Sequence, residues 1–556
     1  MAAAAAVALV VSGCGGGSSS SDSGSSGGGQ PQSATQNQIN PVDRDKLTQG
    51  GDLRWPLNGF PANFNYNELD GTDSDNFDVV SALMPTTFHF AADSAPSVAT
   101  EYFSDIKLTS SDPQVITYDI NPKAVWSDGK PVTAADMVSQ WKALNGTNAA
   151  YTVSSTTGYD QIASVEQGTD DRQAVVTFSN PYADWQALFS PLYPASTNDD
   201  PNAFNTGWVS SPQVTAGPFA LDNIDTSAQT ITLKRNPGWW GDKAILDRII
   251  FRILDPDAQI DALANGEIDF IDVGPDVNKL QRAQGTQGIE IRRAGGPNFR
   301  HLTMNGTSPV LSDVNVRQAL AKAIDRETIA KALLGPLGGE AKKLDNHIFM
   351  ANQAGYQDNA GALDKVDVDG ANKQLDAAGW TRSGDATRTK GGQNLTIRFV
   401  IPSGVATSAQ EAQLVQTMLQ KVGAQVDIQT VPVGDLFDKY ITPGDFDMTV
   451  FAWLGTPFPI SSSSSIYGEP KGGDIQQNYA RIGSPEIDAL FAKATSELDV
   501  TKARDIANQI DAAIWTEVHS LTLYQRPELV AAKQTLANYG AKGFADVRYE
   551  NIGFTG

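Results

Sequence analysis

Residues Val125–Asp136 read Val-Trp-Ser-Asp-Gly-Lys-Pro-Val-Thr-Ala-Ala-Asp and leave the backbone few options. Asp128-Gly129 is a tight-turn pair, because glycine accepts positive φ and the aspartate bonds its own backbone. Pro131 bars Lys130 from the helical region and keeps the chain extended after the turn. Thr133 and Asp136 stand at the spacing of a capping box that opens a helix. Met137, Trp141 and Leu144 follow at helical spacing. The stretch predicts strand, turn and capped helix, a corner of α/β structure.

The same patterns recur along the chain. Strands are predicted at Gly51–Trp55, Val115–Ile120, Ala174–Phe178, Ile231–Lys234 and Ile249–Ile253. Val316, Ala319, Leu320, Ala323 and Ile324 form one apolar stripe, and Asp325 is placed to cap a following helix through Leu334. Strands at Leu395–Val400 and Gln425–Thr430 flank a helix from about Ser408 to Val422, an order that predicts parallel pairing. Ser484-Pro485 opens a helix that buries Ile487, Leu490, Phe491 and Ala494, and Ala503, Ile506, Ile510 and Ile514 mark the next. Leu521–Tyr524 reads as a strand that Arg526-Pro527 ends.

At 556 residues the chain is too long for a single small core, so two or more lobes are expected. Its net charge of −23 argues against nucleic acid or an anionic membrane surface as a charge-attracted partner. The one cysteine, Cys14, rules out a disulfide within the chain. Residues 15–38 are glycine, serine and glutamine with little to bury, the composition of a flexible tether. His89, His301, His347 and His519 lack metal-ligand spacing, and no hydrolase elbow, Cys/His set or His-Glu-x-x-His occurs. No metal, no cofactor and no catalytic set is expected.

Trp126, Asp128, Gly129, Pro131, Thr133, Ala134 and Asp136 resemble the signature of the family 5 extracellular solute-binding proteins, the dipeptide, oligopeptide and nickel-binding group. The resemblance continues in Thr215–Phe219, in Arg235-Asn236-Pro237-Gly238-Trp239-Trp240, and in Asp313, Arg317–Leu320 and Ile324–Arg326, and it covers the chain from about Gly50 to its end. It implies an α/β, two-lobed periplasmic-binding-protein-like fold (type II, cluster C) with a ligand cleft between lobes. Lobe I would comprise residues 50–300 and 525–556, with a subdomain near 96–214, and lobe II residues 301–524. The apolar run 1–13 before Cys14 resembles a bacterial lipoprotein signal remnant, which implies lipidation at Cys14 and a tether over 14–49.

The resemblance further implies a monomeric, non-enzymatic protein on the extracytoplasmic face of the cell membrane. It would capture a peptide-like or other oligomeric solute by hinge closure and deliver it to an ABC permease. The expected ligand residues are Asn63, Phe64, Asn298, Phe299, Phe451, Trp453, Thr456, Phe458, Tyr467, Asn478 and Tyr479. Relatives that bind peptides carry an aspartate three residues after the tryptophan, where it holds the peptide ammonium; Thr456 stands there in this chain. A hydroxyl cannot replace that charge, and the aromatic and polar residues that remain also suit a sugar. The alternative is an envelope glycolipid- or mannoside-binding lipoprotein of the same fold, a branch that the Gly455-Thr456-Pro457-Phe458-Pro459 loop resembles.

Overall fold

The structure is a computed structural model, and it describes residues 37–556. The expected signal remnant, Cys14 and the tether up to residue 36 lie outside the described residues. Residues 37–49, the end of the expected tether, are held by the body of the protein: Leu47 is buried against Ile245 and Ala537, and Thr48 bridges to Phe554.

The first core is built on two antiparallel-rich sheets. Its elements in chain order are β1 (Asp52–Leu57), α1 (Ser74–Val80), β2 (Phe88–Phe90), β3 (Phe103–Ser111), β4 (Gln114–Ile120), α2 (Ala134–Leu144), β5 (Ile162–Gln167), β6 (Gln173–Phe178), β7 (Phe219–Asp225), β8 (Thr230–Arg235) and β9 (Arg248–Ile253). One four-stranded sheet runs β1-β9-β8-β7, with β1 and β9 parallel; the other runs β3-β4-β6-β5. The corner at Val125–Asp136 forms as the sequence dictates. Gly129 takes φ +84°, Thr133 and Asp136 make the capping box, and α2 buries Met137 and Leu144. Trp55 lies at the centre of this core, stacked on Tyr549 at 5.7 Å and edge-on to Phe270 at 4.9 Å.

The second core surrounds one six-stranded sheet. The elements of this half are β10 (Phe270–Asp272), β11 (Ile289–Met304), α3 (Val314–Ala323), α4 (Arg326–Leu334), α5 (Val368–Ala377), β12 (Thr396–Pro402), α6 (Ala406–Gln420), β13 (Gln425–Val431), β14 (Met448–Leu454), α7 (Pro459–Tyr467), α8 (Pro485–Ser496), α9 (Val500–Glu517) and β15 (Ser520–Lys533), with strand order β10-β15-β11-β14-β12-β13; α7, α8 and most of α9 pack on one another in a smaller cluster beside it. The predicted β12-α6-β13 unit pairs in parallel. Asp325 caps α4 by accepting from the Thr328 N–H, and Ser484 caps α8.

The structure corrects two expectations. Pro527 does not end a strand: β15 runs on to Lys533, and Pro527 faces Gly295 at a break in register between Gly295 and Phe299, where the ladder does not need its missing N–H. Ile260, Leu263, Ile271 and Leu280 fall inside the expected span of lobe I yet pack in the second core, because β10 joins the six-stranded sheet through β15.

The long strands β11 and β15 serve both cores. Leu302 and Leu521 are buried in the second, whereas Ala294 and Val530 are buried in the first.

Candidate functional site

Strands β11 and β14 present one aromatic face. Phe299 lies opposite Trp453 and His301 opposite Phe451. The Trp453 ring runs parallel to both His301, at 5.6 Å between centroids, and Tyr479, at 5.8 Å, with interplanar angles of 6° and 5°. Phe451 stands edge-on to His301 at 4.3 Å, and Phe437 packs on Phe451 and Tyr479. His301 Nδ1 meets the Thr303 hydroxyl at 3.0 Å. Burial, then the neighbouring charge of Arg300, holds its pKa well below the usual histidine range, so the ring is neutral at pH 7. Trp453 and Tyr479 remain half-buried.

The other expected residues divide by what they touch. Asn298 pairs with Leu454 at the end of the same ladder, and Phe299 packs with Leu344, Met350 and Phe544. Thr456 is turned inward on its own loop: its hydroxyl accepts from the Phe458 N–H at 3.1 Å and donates to Ser462 Oγ at 3.2 Å. Tyr467 is sealed between the rings of His347 and His519. Asn478 is fully buried, its amide donating to the Gly468 and Ile482 carbonyls, its oxygen facing His519 Nε2 at 2.9 Å. Asn63 donates to Glu68 and to the Asn205 carbonyl, and Phe64 is buried in the first core. The structure thus brings Phe299, Phe451, Trp453 and Tyr479 together and gives Asn63, Phe64, Tyr467 and Asn478 internal partners.

Phe458 reaches across to the first core, where its ring meets Phe90 edge-on at 5.3 Å. Both rings line two cavities: the larger has walls from the first core and from the segment around α7 and α9, whereas the smaller lies in the first core and is capped by Pro457 and Phe458 from the loop between β14 and α7. One, of about 370 Å³, is lined by Ser94, Trp185, Gln353, Phe458, Ile460 and Arg504. The other, of about 240 Å³, is lined by Asp78, Met84, His89, Phe458, Lys542 and Asp546. Hydrogen bonds close the space around them. Gln353 Nε2 donates to Ser94 Oγ at 3.0 Å and to the Thr456 carbonyl at 2.9 Å, and the Asn352 amide donates to the Ala92 carbonyl at 3.2 Å. A more open groove of about 590 Å³, bounded by Asp43, Arg44 and Arg548, shares Lys542 and Asp546 with the smaller cavity.

Sequence reasoning missed Phe90, Asp78, Lys542 and Asp546. Asp546 accepts from the Phe90 N–H at 2.9 Å across a sequence separation of 456 residues. A lone polar residue with so distant a partner leaves no periodic signal. The histidines, distant in sequence, gather in pairs with ordinary partners: His89 meets Glu101 at 2.5 Å, and His347 meets Asp511 at 2.7 Å. Asp345, Asp358 and Asp364 come close enough to hold a metal ion, but Lys343 and Arg326 already bond Asp345, and Lys343 also pairs with Asp364. Asp445 and Asp447 are both bonded to Arg398, so neither is a free acid.

Comparison with known proteins follows the same lines. Residues 94–474 match the family described as bacterial extracellular solute-binding proteins, family 5 Middle. The oligopeptide-binding protein OppA of Mycobacterium tuberculosis is 44% identical over 524 residues, covering 94% of this chain and 87% of that protein. The probable monoacyl phosphatidylinositol tetramannoside-binding protein LpqW of the same species is 27% identical over 308 residues, 54% of this chain and 48% of that protein. Among solved structures, the periplasmic EDTA-binding protein EppA superposes with a TM-score of 0.83 at 26% identity, covering 94% of this chain and 99% of that one. The oligopeptide-binding protein AppA of Bacillus subtilis, in complex with a nonapeptide, has a TM-score of 0.67 at 22% identity and covers 92% of this chain and 100% of that one. The fold is that of the two-lobed periplasmic solute-binding proteins.

Proposed function

The chain belongs to the family 5 bacterial extracellular solute-binding proteins, and from that membership we propose that it captures a peptide-like, oligomeric solute between its two cores and passes it to a membrane ABC permease. Capture is by hinge closure, with binding energy stabilising the closed form. The protein works as a monomer on the extracytoplasmic face, held to the membrane by a lipid on Cys14. Its relatives are named as binding proteins, in keeping with a role without covalent chemistry. Among the described residues no helix is long and apolar enough to cross a membrane.

The observation that carries this reading is the pair of cavities that meet at the Phe90–Phe458 contact, where the β14–α7 loop reaches across to the first core. A solute there touches both halves at once, which is what couples binding to closure. Two cavities in succession suit a ligand made of repeated units. The half-buried faces of Trp453 and Tyr479, with Thr456 in place of an aspartate, favour the second reading, an envelope mannoside or glycolipid ligand.

A thermal-shift series separates the two. Short peptides at about a hundredfold excess over their dissociation constant should add about 2.7 kcal/mol of stability. Phe458→Arg should abolish that gain. Stabilisation by oligomannosides or glycolipids, with none by any peptide, overturns the peptide reading.

A further inference from the structure

The smaller of the two cavities has an unbalanced charge, and this says what end of a solute it receives. Its wall carries Asp78 from α1, His89 from β2, and Lys542 and Asp546 from the C-terminal segment. Glu528 of β15 lies directly behind Lys542, accepting from the Lys542 and Gly543 N–H groups at 3.0 and 2.7 Å. Three carboxylates, Asp78, Glu528 and Asp546, therefore face the single ammonium of Lys542. Lys542 Nζ donates in addition to the Ala545 carbonyl at 3.1 Å. Arg548 does not make up the difference, because Glu550 and Glu101 hold it at 2.8 and 3.3 Å, and Glu101 also holds His89. Asp73 and Asp75 at the start of α1 add further negative charge, while Tyr539 and Tyr549 are neutral neighbours. The donor facing the Asp78 carboxylate is the Trp55 indole; the Tyr549 hydroxyl donates to the Asp78 main-chain carbonyl instead.

The rest of the wall is apolar: Phe77, Met84, Pro85, Phe90, Pro457 and Phe458. A carboxylate in such surroundings favours its neutral form unless a cation arrives. Burial pushes Asp78 and Glu528 up to about 7, against the opposing pull of Lys542.

We propose that this cavity receives a cationic end of the solute, an ammonium or guanidinium on an apolar stem, held between Asp78 and Asp546 beneath the Phe458 ring. The inference rests on the reading of the protein as a peptide-like solute binder, and it names the group that the cavity selects. It also gives the missing carboxylate at position 456 a counterpart on the opposite core.

The test is calorimetric titration of the whole protein with four forms of one tetrapeptide. They are the free peptide, its N-acetyl derivative, its C-terminal amide, and an N-acetyl derivative with lysine as the first residue. Acetylation should weaken binding about tenfold or more, the size of one charge-assisted hydrogen bond, and amidation should have little effect. Recovery of affinity by the acetylated lysine peptide makes a side chain an acceptable source of the cation; no recovery makes the terminal amine the source.

Affinity for the free peptide should rise from pH 5 to about 7, as Asp78 ionises, and fall again above about pH 8, where the peptide's own α-ammonium loses its proton, while that of the acetylated peptide should stay flat. Asp78→Asn and Asp546→Asn, checked by melting temperature, should each bring the free peptide down toward the acetylated one. Equal binding of free and acetylated peptides by the unaltered protein overturns the inference and leaves peptide capture standing. Binding of none of the four overturns both.

Discussion

Asp136 concentrates three hydrogen bonds on one carboxylate. It accepts from the Thr133 N–H at 2.8 Å, the Ala195 N–H at 2.8 Å and the Trp126 indole at 3.1 Å. Asp136→Ala removes the reciprocal half of the α2 capping box and leaves the Thr133 and Ala195 N–H groups and the Trp126 indole without partners, at a cost of about 2–4 kcal/mol. Thermal unfolding should show a melting temperature lower by several degrees; an unchanged value contradicts the assignment. Asp78 makes a different prediction. Its folded-state pKa of about 7 stands above that of an unfolded aspartate, near 4. Between those values the folded state holds the extra proton, so this group's contribution to stability falls as pH rises from about 4 to 7 and is level above. Asp78→Asn removes that slope. The melting temperature of the variant minus that of the parent should increase from pH 5 to pH 8, and a difference that stays constant would show that Asp78 titrates normally.

At the scale of elements, the chain announced most of what it forms. Turn chemistry at Asp128-Gly129, the capping box at Thr133, the stripe from Val316 and the β-α-β order after Leu395 are local signals, and each produced the element expected. Local signals also explain the failures. Proline at 527 breaks a regular ladder, but the break between Gly295 and Phe299 is set by the partner strand and cannot be read at Pro527 itself. Gly296 at that break has no room for a side chain, since an added Cβ would meet the Arg526 carbonyl at 2.8 Å and the Glu528 N–H at 3.1 Å. Gly296→Val should therefore lower the unfolding midpoint in urea and weaken ligand binding, because β11 and β15 join the two cores at this point. Normal stability with normal affinity would remove the crossing strands from any part in closure. Of the candidate site, Phe451, Trp453 and Tyr479 were legible through the family resemblance, and the structure gathers them on one face. The opposite wall was not, because Asp78, Lys542 and Asp546 are single polar residues assembled by the fold.

Residues 37–556 form two large cores that meet around the Phe90–Phe458 contact. Phe458 against Phe90, Gln353 against Ser94, and the Ala183 N–H donating to the Thr495 carbonyl at 2.8 Å tie segments that belong to different sheets and helices. Each contact is small, so a solute that adds to them on both sides can shift the balance toward the closed form. Hydrogen–deuterium exchange with and without a saturating tetrapeptide measures this most directly. Closure on a solute should slow exchange in residues 84–94 and 539–549 on one side and in residues 353–356 and 457–463 on the other, appearing together at one ligand concentration. Protection confined to the aromatic strand, residues 448–454, and its neighbour Tyr479, with the Phe90 and Asp546 segments unchanged, would contradict it.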